Sequence, residues 1–221
     1  MTSVNELPNL KEQLEAKAEE SVKMIPAEQR ATMDQKTEAL EMSGLAVKSV
    51  GLEHEFPDFE LRNATGDMVK LSDLVEKGPL VISFYRGGWC PYCNLELKAL
   101  QDSLWAIREQ GADLVAISPE LPDQSLSTRE KNELRFEVLT DQSNEVAKKL
   151  GIVHEVDEEL DGIYQSFDIN VEAHNQDGKN ELPLPATYVI DQNRIIRWAF
   201  VRANYKNRAE PAEVIESLKN L

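Results

Sequence analysis

Between residues 80 and 111 the apolar residues change period once, and that change limits what this chain can fold into. Leu80–Tyr85 reads LVISFY, a short run of aliphatic and aromatic residues of the kind that forms a buried strand. Beyond it Leu97, Leu100, Leu104 and Ile107 are spaced three, four and three apart, the apolar face of a helix that Gly111 closes. The stretch at the switch, GGWCPYCNLE from Gly87 to Glu96, holds both cysteines of the chain, Cys90 and Cys93. A strand, a sharp glycine turn and a helix opened by Pro91 are therefore required around two thiols.

The pattern continues. ADLVAIS (112–118) is a second buried strand, SLSTREKNEL (125–134) is helical and FEVLTD (136–141) holds a short strand. SNEVAKKLG is a helix with Ser143 as its cap and Gly151 as its stop. TYVID and RIIRWAF are strands joined by the turn residues Asp191, Gln192 and Asn193, and a last helix starts near Pro211. Alternating strands and helices that end in a hairpin and a helix define an α/β fold with a central mixed β-sheet flanked by helices. That domain is expected over residues 50–221. Ahead of it, residues 1–49 read as an N-terminal helical extension with a thin apolar stripe of Leu10, Leu14, Ala18, Val22 and Ile25. Pro26 opens its second helix and Gly44 stops it. So thin a stripe has to pack on the main domain or on a second subunit.

The net charge of −16 disfavours nucleic acid and anionic lipid as partners, and no apolar run approaches the roughly 20 residues of a membrane span. The opening residues carry no basic, apolar or cleavage-site pattern, so the expected compartment is the cytoplasm. Residues 152–183 concentrate the acidity, with nine carboxylates against Lys179 alone. This stretch is either a solvated face or a docking surface for a basic partner.

In a reducing compartment a close cysteine pair is catalytic or metal-binding rather than a permanent staple. Structural zinc needs four ligands, and His54, His154 and His174 show no ligand spacing, so no metal or other cofactor is implied. A disulfide closing so short a loop removes little chain entropy. At a strand-to-helix junction the pair instead reads as a thioredoxin-like redox site, where the unpaired first amides and the helix dipole stabilise a thiolate. Tyr85, Trp89, Tyr92 and Trp105 are candidates to line an apolar pocket beside it.

From about Val50 onward the sequence resembles the alkyl hydroperoxide reductase/thiol-specific antioxidant peroxiredoxins of the thioredoxin-like superfamily. The stretches that carry the resemblance are HEFPDFELRNATGDMVKLSDL, LVISFYRGGWC, LVAISPE, ELRFEVLTDQSNEVAKKLG and PATYVIDQNRII, in that order. The resemblance implies a thioredoxin-like fold and reduction of hydroperoxides, with an internal Cys90–Cys93 disulfide that thioredoxin or a glutathione-type thiol reduces. It puts the family's peroxide-reacting cysteine on Cys93 and its frequent glutamate on Glu96. Elsewhere the pattern is broken. Arg86 stands where the family keeps a proline, Cys90 where it keeps a threonine, and Pro185, two residues before Thr187, where it keeps an arginine. Trp89-Cys90-Pro91-Tyr92-Cys93 resembles instead the dithiols of thioredoxins and glutaredoxins, and Pro185 either resembles the cis-proline that faces such a dithiol or is a trans proline at a strand entry.

Three readings follow. In the first, a thiolate attacks a hydroperoxide and the other cysteine condenses with the sulfenic acid. In the second, Cys90 attacks a disulfide and Cys93 resolves the mixed disulfide. In the third, the chain is a redox sensor or scaffold whose helical arm contacts a partner. Arg86 is expected either to favour a thiolate or bind peroxide in both enzymatic cases, or to be a plain surface arginine. A homodimer would suit the arm.

Overall fold

A computed structural model describes residues 9–221. The N-terminal arm is α1 (Leu10–Met24), α2 (Ala27–Met42) and the one-turn α3 (Leu45–Lys48). The body follows as β1 (Glu60–Asn63), β2 (Met68–Lys70), α4 (Leu71–Val75), β3 (Leu80–Phe84), α5 (Pro91–Asp102), α6 (Leu104–Glu109) and β4 (Asp113–Ser118). It continues through α7 (Pro122–Lys131), β5 (Glu137–Thr140), α8 (Glu145–Leu150), β6 (Val153–Glu155), α9 (Glu158–Gln165) and α10 (Val171–Asn175). The chain closes with β7 (Glu181–Pro183), β8 (Ala186–Ile190), β9 (Ile196–Val201) and α11 (Pro211–Lys219).

Seven strands form one mixed sheet in the order β2-β1-β5-β4-β3-β8-β9. β3, β4 and β5 pair in parallel, and β8 runs antiparallel to β3, with Thr187 opposite Ser83. The central strands bury both faces, as their unbroken apolar runs require. Alternation then sorts their side chains. Val81, Leu114, Ala116 and Val189 join α5, α6 and α11 in one core, and Ile82, Phe84, Val115, Ile117 and Tyr188 join Phe56 and α8 in the other. This is the thioredoxin-like α/β arrangement that the sequence implies.

Two local expectations are corrected. The apolar face from Leu97 to Ile107 is shared by two helices that break at Ser103, whose amide reaches back to the carbonyls of Ala99 and Leu100. Ser143 does not cap α8, because it occupies a left-handed conformation (φ 59°) in the preceding 3-10 turn. The buried carboxylate of Asp141 does that work, accepting from Val146 N (3.0 Å) and Ala147 N (2.9 Å).

The arm packs on its own chain. Leu10 and Leu14 of α1 are buried in the core that contains both cysteines, and Met33 of α2 is buried against Val156, Ile163 and Tyr164. Part of the acidic stretch pairs with the same helix while remaining exposed, Lys36 reaching Asp157 (2.7 Å) and Glu159 (2.8 Å). The sensor or scaffold reading loses the free helical faces that motivated it at Leu10, Leu14 and Met33.

Candidate active site

The dithiol sits where the sequence puts it, at the end of β3 and the start of α5. Cys90 is the helix N-cap, Pro91 the first helical residue, and Cys93 follows within the first turn. The dipole and unpaired amides of this turn favour negative charge on sulfur. The preceding glycines are needed for clearance. A Cβ on Gly87 would lie 2.2 Å from Trp89 Nε1, and one on Gly88 would lie 2.0 Å from Thr128 Oγ1. Gly88 N donates to the buried Glu120 (2.9 Å), and Asn94 Nδ2 donates to Gly88 O (2.8 Å) and Cys90 O (3.1 Å). The loop that carries Cys90 is therefore held from both sides.

Each sulfur has its own buried arginine. Arg86 Nη1 lies 3.9 Å from Cys90 Sγ, its Nη2 donates to Tyr164 Oη, and its guanidinium is stacked among the rings of Trp89, Tyr164 and Tyr205 at 4.9, 5.4 and 4.8 Å. Arg208 Nη2 lies 3.2 Å from Cys93 Sγ, and its Nε donates to Glu96 Oε2 at 2.5 Å. Thr187 Oγ1 donates to the other Glu96 oxygen at 3.3 Å. Arg86, Trp89, Glu96 and Thr187 thus all reach the dithiol or its immediate partners. Arg208 was not anticipated, and it corrects the expectation that an arginine is missing. The cation arrives from the loop between β9 and α11 instead of from the Pro185 position. Its only trace in the sequence is a basic residue near the start of the final helix, which spacing alone does not connect to Cys93.

Pro185 requires a second correction. The bond before it is trans, since the described residues contain no cis peptide. The residue continues an extended path from β7 into β8, its carbonyl accepts from Arg202 N (3.4 Å), and it lines a cavity beside Arg86. Of the candidate aromatics, Trp89 and Tyr92 line a cavity at Cys90, while Tyr85 is buried in the core and Trp105 is 41% exposed.

The electrostatics separate the thiols. Burial alone raises the Cys90 thiol, but a hydrogen bond from Cys93 and the charges of Arg86 and Arg208 outweigh it and bring it down to about 5. Burial and the adjoining Cys90 push Cys93 up. One proton shared by the pair thus resides on Cys93. Glu96 is lifted by burial and by Cys93, against the pull of Arg208, to about 7. Access separates them as well. Both cysteines are buried, but Cys90 lines a cavity of about 310 Å³ and Cys93, held against Arg208, does not line it. Among the described residues no three His, Cys, Asp or Glu side chains gather as a metal site. His154 is held down to about 4 by burial and by Arg86, and His174 Nδ1 lies 3.2 Å from Glu120.

Known proteins share this framework. Residues 52–199 match the AhpC/TSA family model. The chain is 30% identical over 166 residues to the chloroplastic peroxiredoxin Q of Sedum lineare, covering 75% of this chain and 74% of that one. It is 30% identical over 129 residues to peroxiredoxin Bcp of Escherichia coli (strain K12), covering 57% and 79%. Among solved structures, peroxidoxin BcpB from Mycobacterium tuberculosis superposes with a TM-score of 0.62 at 20% identity, over 78% of this chain and 98% of that one, a likeness of fold.

Proposed function

The chain belongs to the AhpC/TSA family and is a peroxiredoxin-like thiol oxidoreductase acting on peroxides; on that premise we propose that Cys90 is the attacking thiolate and Cys93 the resolving thiol. The observation that carries this assignment is the difference in access. Cys90 lines a cavity beneath Arg86, and Cys93 does not line it. The assignment departs from the family pattern, which puts the peroxide-reacting sulfur at Cys93.

The Cys90 thiolate attacks the terminal oxygen of a hydroperoxide. The S–O bond forms as the O–O bond breaks, sulfur is oxidised to the sulfenic acid, and the leaving alkoxide takes a proton as the alcohol. Arg86 is suited to this step. Its Nε is buried with no hydrogen-bond partner among the described residues, a donor available to a peroxide oxygen or the leaving group. Cys93 then displaces hydroxide from the sulfenic sulfur and closes the internal disulfide, and the hydroxide leaves as water with the proton that Cys93 gives up. That proton has a carrier nearby in Glu96, one helical turn further on, held by Arg208 and Thr187. A dithiol of the thioredoxin type, or two glutathione-type thiols, returns the disulfide to the reduced pair and is itself oxidised.

The same lowered Cys90 thiol also suits attack on a disulfide, and the Trp-Cys-Pro-Tyr-Cys run favours that second reading. One set of experiments separates the two. Cys93→Ser mixed with hydrogen peroxide is expected to accumulate a sulfenic acid on Cys90 that a dione reagent traps, and Cys90→Ser is expected to give none. A sulfenic acid on Cys93 in Cys90→Ser, formed at the wild-type rate, reverses the assignment. If no peroxide oxidises the wild type faster than a free thiolate, while Cys93→Ser traps a mixed disulfide, the disulfide reaction is the activity.

A further inference from the structure

Beside Cys90 the structure leaves more room than a small peroxide uses. The cavity measures about 310 Å³, whereas a water-sized occupant needs only about 10–15 Å³ of such space. A cleft of this size that opens onto a reactive sulfur is within the range of built ligand pockets, which are mostly apolar with a few polar groups placed at one point. Here the polar point is Cys90 with Arg86.

The walls come from two parts of the chain. The body supplies Trp89, Tyr164 and Phe167, and the arm supplies Met24, Ile25 and Met33. The arm lies outside residues 52–199, the segment that matches the family. Its seat over the site is tied down at several points. Ser21 Oγ of α1 lies 3.5 Å from Tyr92 Oη of α5, Lys206 reaches Asp34 of α2 at 2.8 Å, and Glu210 accepts from Leu10 N and Lys11 N at the start of α1. Methionines suit such a wall, because an unbranched, polarisable side chain adapts to tails of different shape.

We propose that α1 and α2 build the tail pocket for an apolar organic hydroperoxide, with its O–O group at Cys90 and Arg86, and that Met24 and Met33 determine which hydroperoxides are reduced. This rests on the peroxide reading of the dithiol and goes beyond it. The arm that family members need not share becomes the specificity element, and hydrogen peroxide, having no tail, is the poorer substrate.

The test compares kcat/KM for cumene hydroperoxide with kcat/KM for hydrogen peroxide in the full chain, using one thiol reductant. The wild-type ratio is expected to exceed ten, the effect of filling an apolar pocket by even one or two groups being about tenfold or more. Met33→Trp and Met24→Trp are expected to lower the ratio by at least about tenfold. Met24 is 68% exposed, so its replacement does not endanger folding even if that of the buried Met33 does. Val47→Trp on the exposed face of α3 is expected to leave the ratio where it was. Cumyl alcohol, the product, is expected to inhibit the wild type competitively and Met24→Trp more weakly. A wild type that reduces hydrogen peroxide, with a ratio that neither pocket substitution moves, overturns this inference and leaves the peroxide reading standing. A wild type that reacts with neither peroxide overturns both.

Discussion

Cys90 and Cys93 are one helical turn apart and each meets a buried arginine, yet the two halves of the site are built on opposite principles. Arg208 has a carboxylate. Glu96 accepts from it at 2.5 Å, so above about pH 7 the cation has a fixed counter-charge whatever the state of Cys93. Arg86 has no carboxylate among its described partners, which are Tyr164, three aromatic faces and Cys90. The charge that balances it is a thiolate on Cys90. A buried cation without a fixed anion is costly, and the cost falls when the thiol ionises. The Arg208 half is therefore a structural clamp and the Arg86 half a device that sets reactivity. The cavity lies on the Arg86 side, where Cys90 and not Cys93 lines it.

The contrast can be broken most directly at Arg208. Arg208→Gln leaves Glu96 buried without its cation; since that carboxyl can take up a proton at about pH 7, the loss is expected to be about 1–3 kcal/mol, the cost of a buried polar group left without its partner. The loss, read from urea unfolding, is expected to be greatest at pH 8 and to shrink toward pH 5, because Glu96 escapes by taking up a proton. A variant as stable as the wild type at pH 8 would remove the clamp.

Glu96→Gln sharpens the same half. In the folded chain the carboxyl keeps its proton up to about pH 7, against an ordinary value of 4.5. The folded state thus binds the extra proton between those limits, and wild-type stability falls as pH rises through the window. The shift corresponds to roughly 3 kcal/mol. The stability of the wild type relative to Glu96→Gln should drop by about that amount between pH 4.5 and 7. A flat difference across this window would mean that Glu96 is ionised throughout.

Arg86→Gln addresses the reactive half. Loss of an opposite charge at this range raises a thiol pKa by about 1–3 units. The absorbance of the Cys90 thiolate near 240 nm is expected to appear at correspondingly higher pH than the value of about 5 in the wild type. Stability should change far less than in Arg208→Gln, since no carboxylate is stranded. An unmoved thiolate titration would show that Cys93 and the helix dipole suffice.

The smallest effect is expected at Glu210, whose carboxylate caps the start of α1 through Leu10 N and Lys11 N and also forms the capping box of α11. Glu210→Ala should cost about 1 kcal/mol, the usual value of a helix cap. It should also raise amide exchange in α1 ahead of the sheet.

Much of this was legible in the sequence because it depends on residues close together in the chain. The unbroken run Leu80–Phe84, the glycine pair, Pro91 at the first helical position and the helical spacing of Leu97 and Leu100 place the dithiol at a strand-to-helix junction without reference to anything distant. Glu96 was within reach for the same reason, lying on the same helix as Cys93. Pro185 misled because a proline before a strand suits either isomer, and the extended entry into β8 here takes the trans form.

By itself the sequence determined that two thiols meet a helix N-terminus in an α/β sheet fold, since local periodicity and turn chemistry decide that much. Which thiol borders a cavity and which arginine serves each sulfur were decided only by the tertiary structure. Arg208 arrives from 112 positions beyond Glu96, and the roof over Cys90 comes from helices that precede the sheet. Burial and Coulomb interaction depend on distance in space, and a pattern of neighbours along the chain does not encode it.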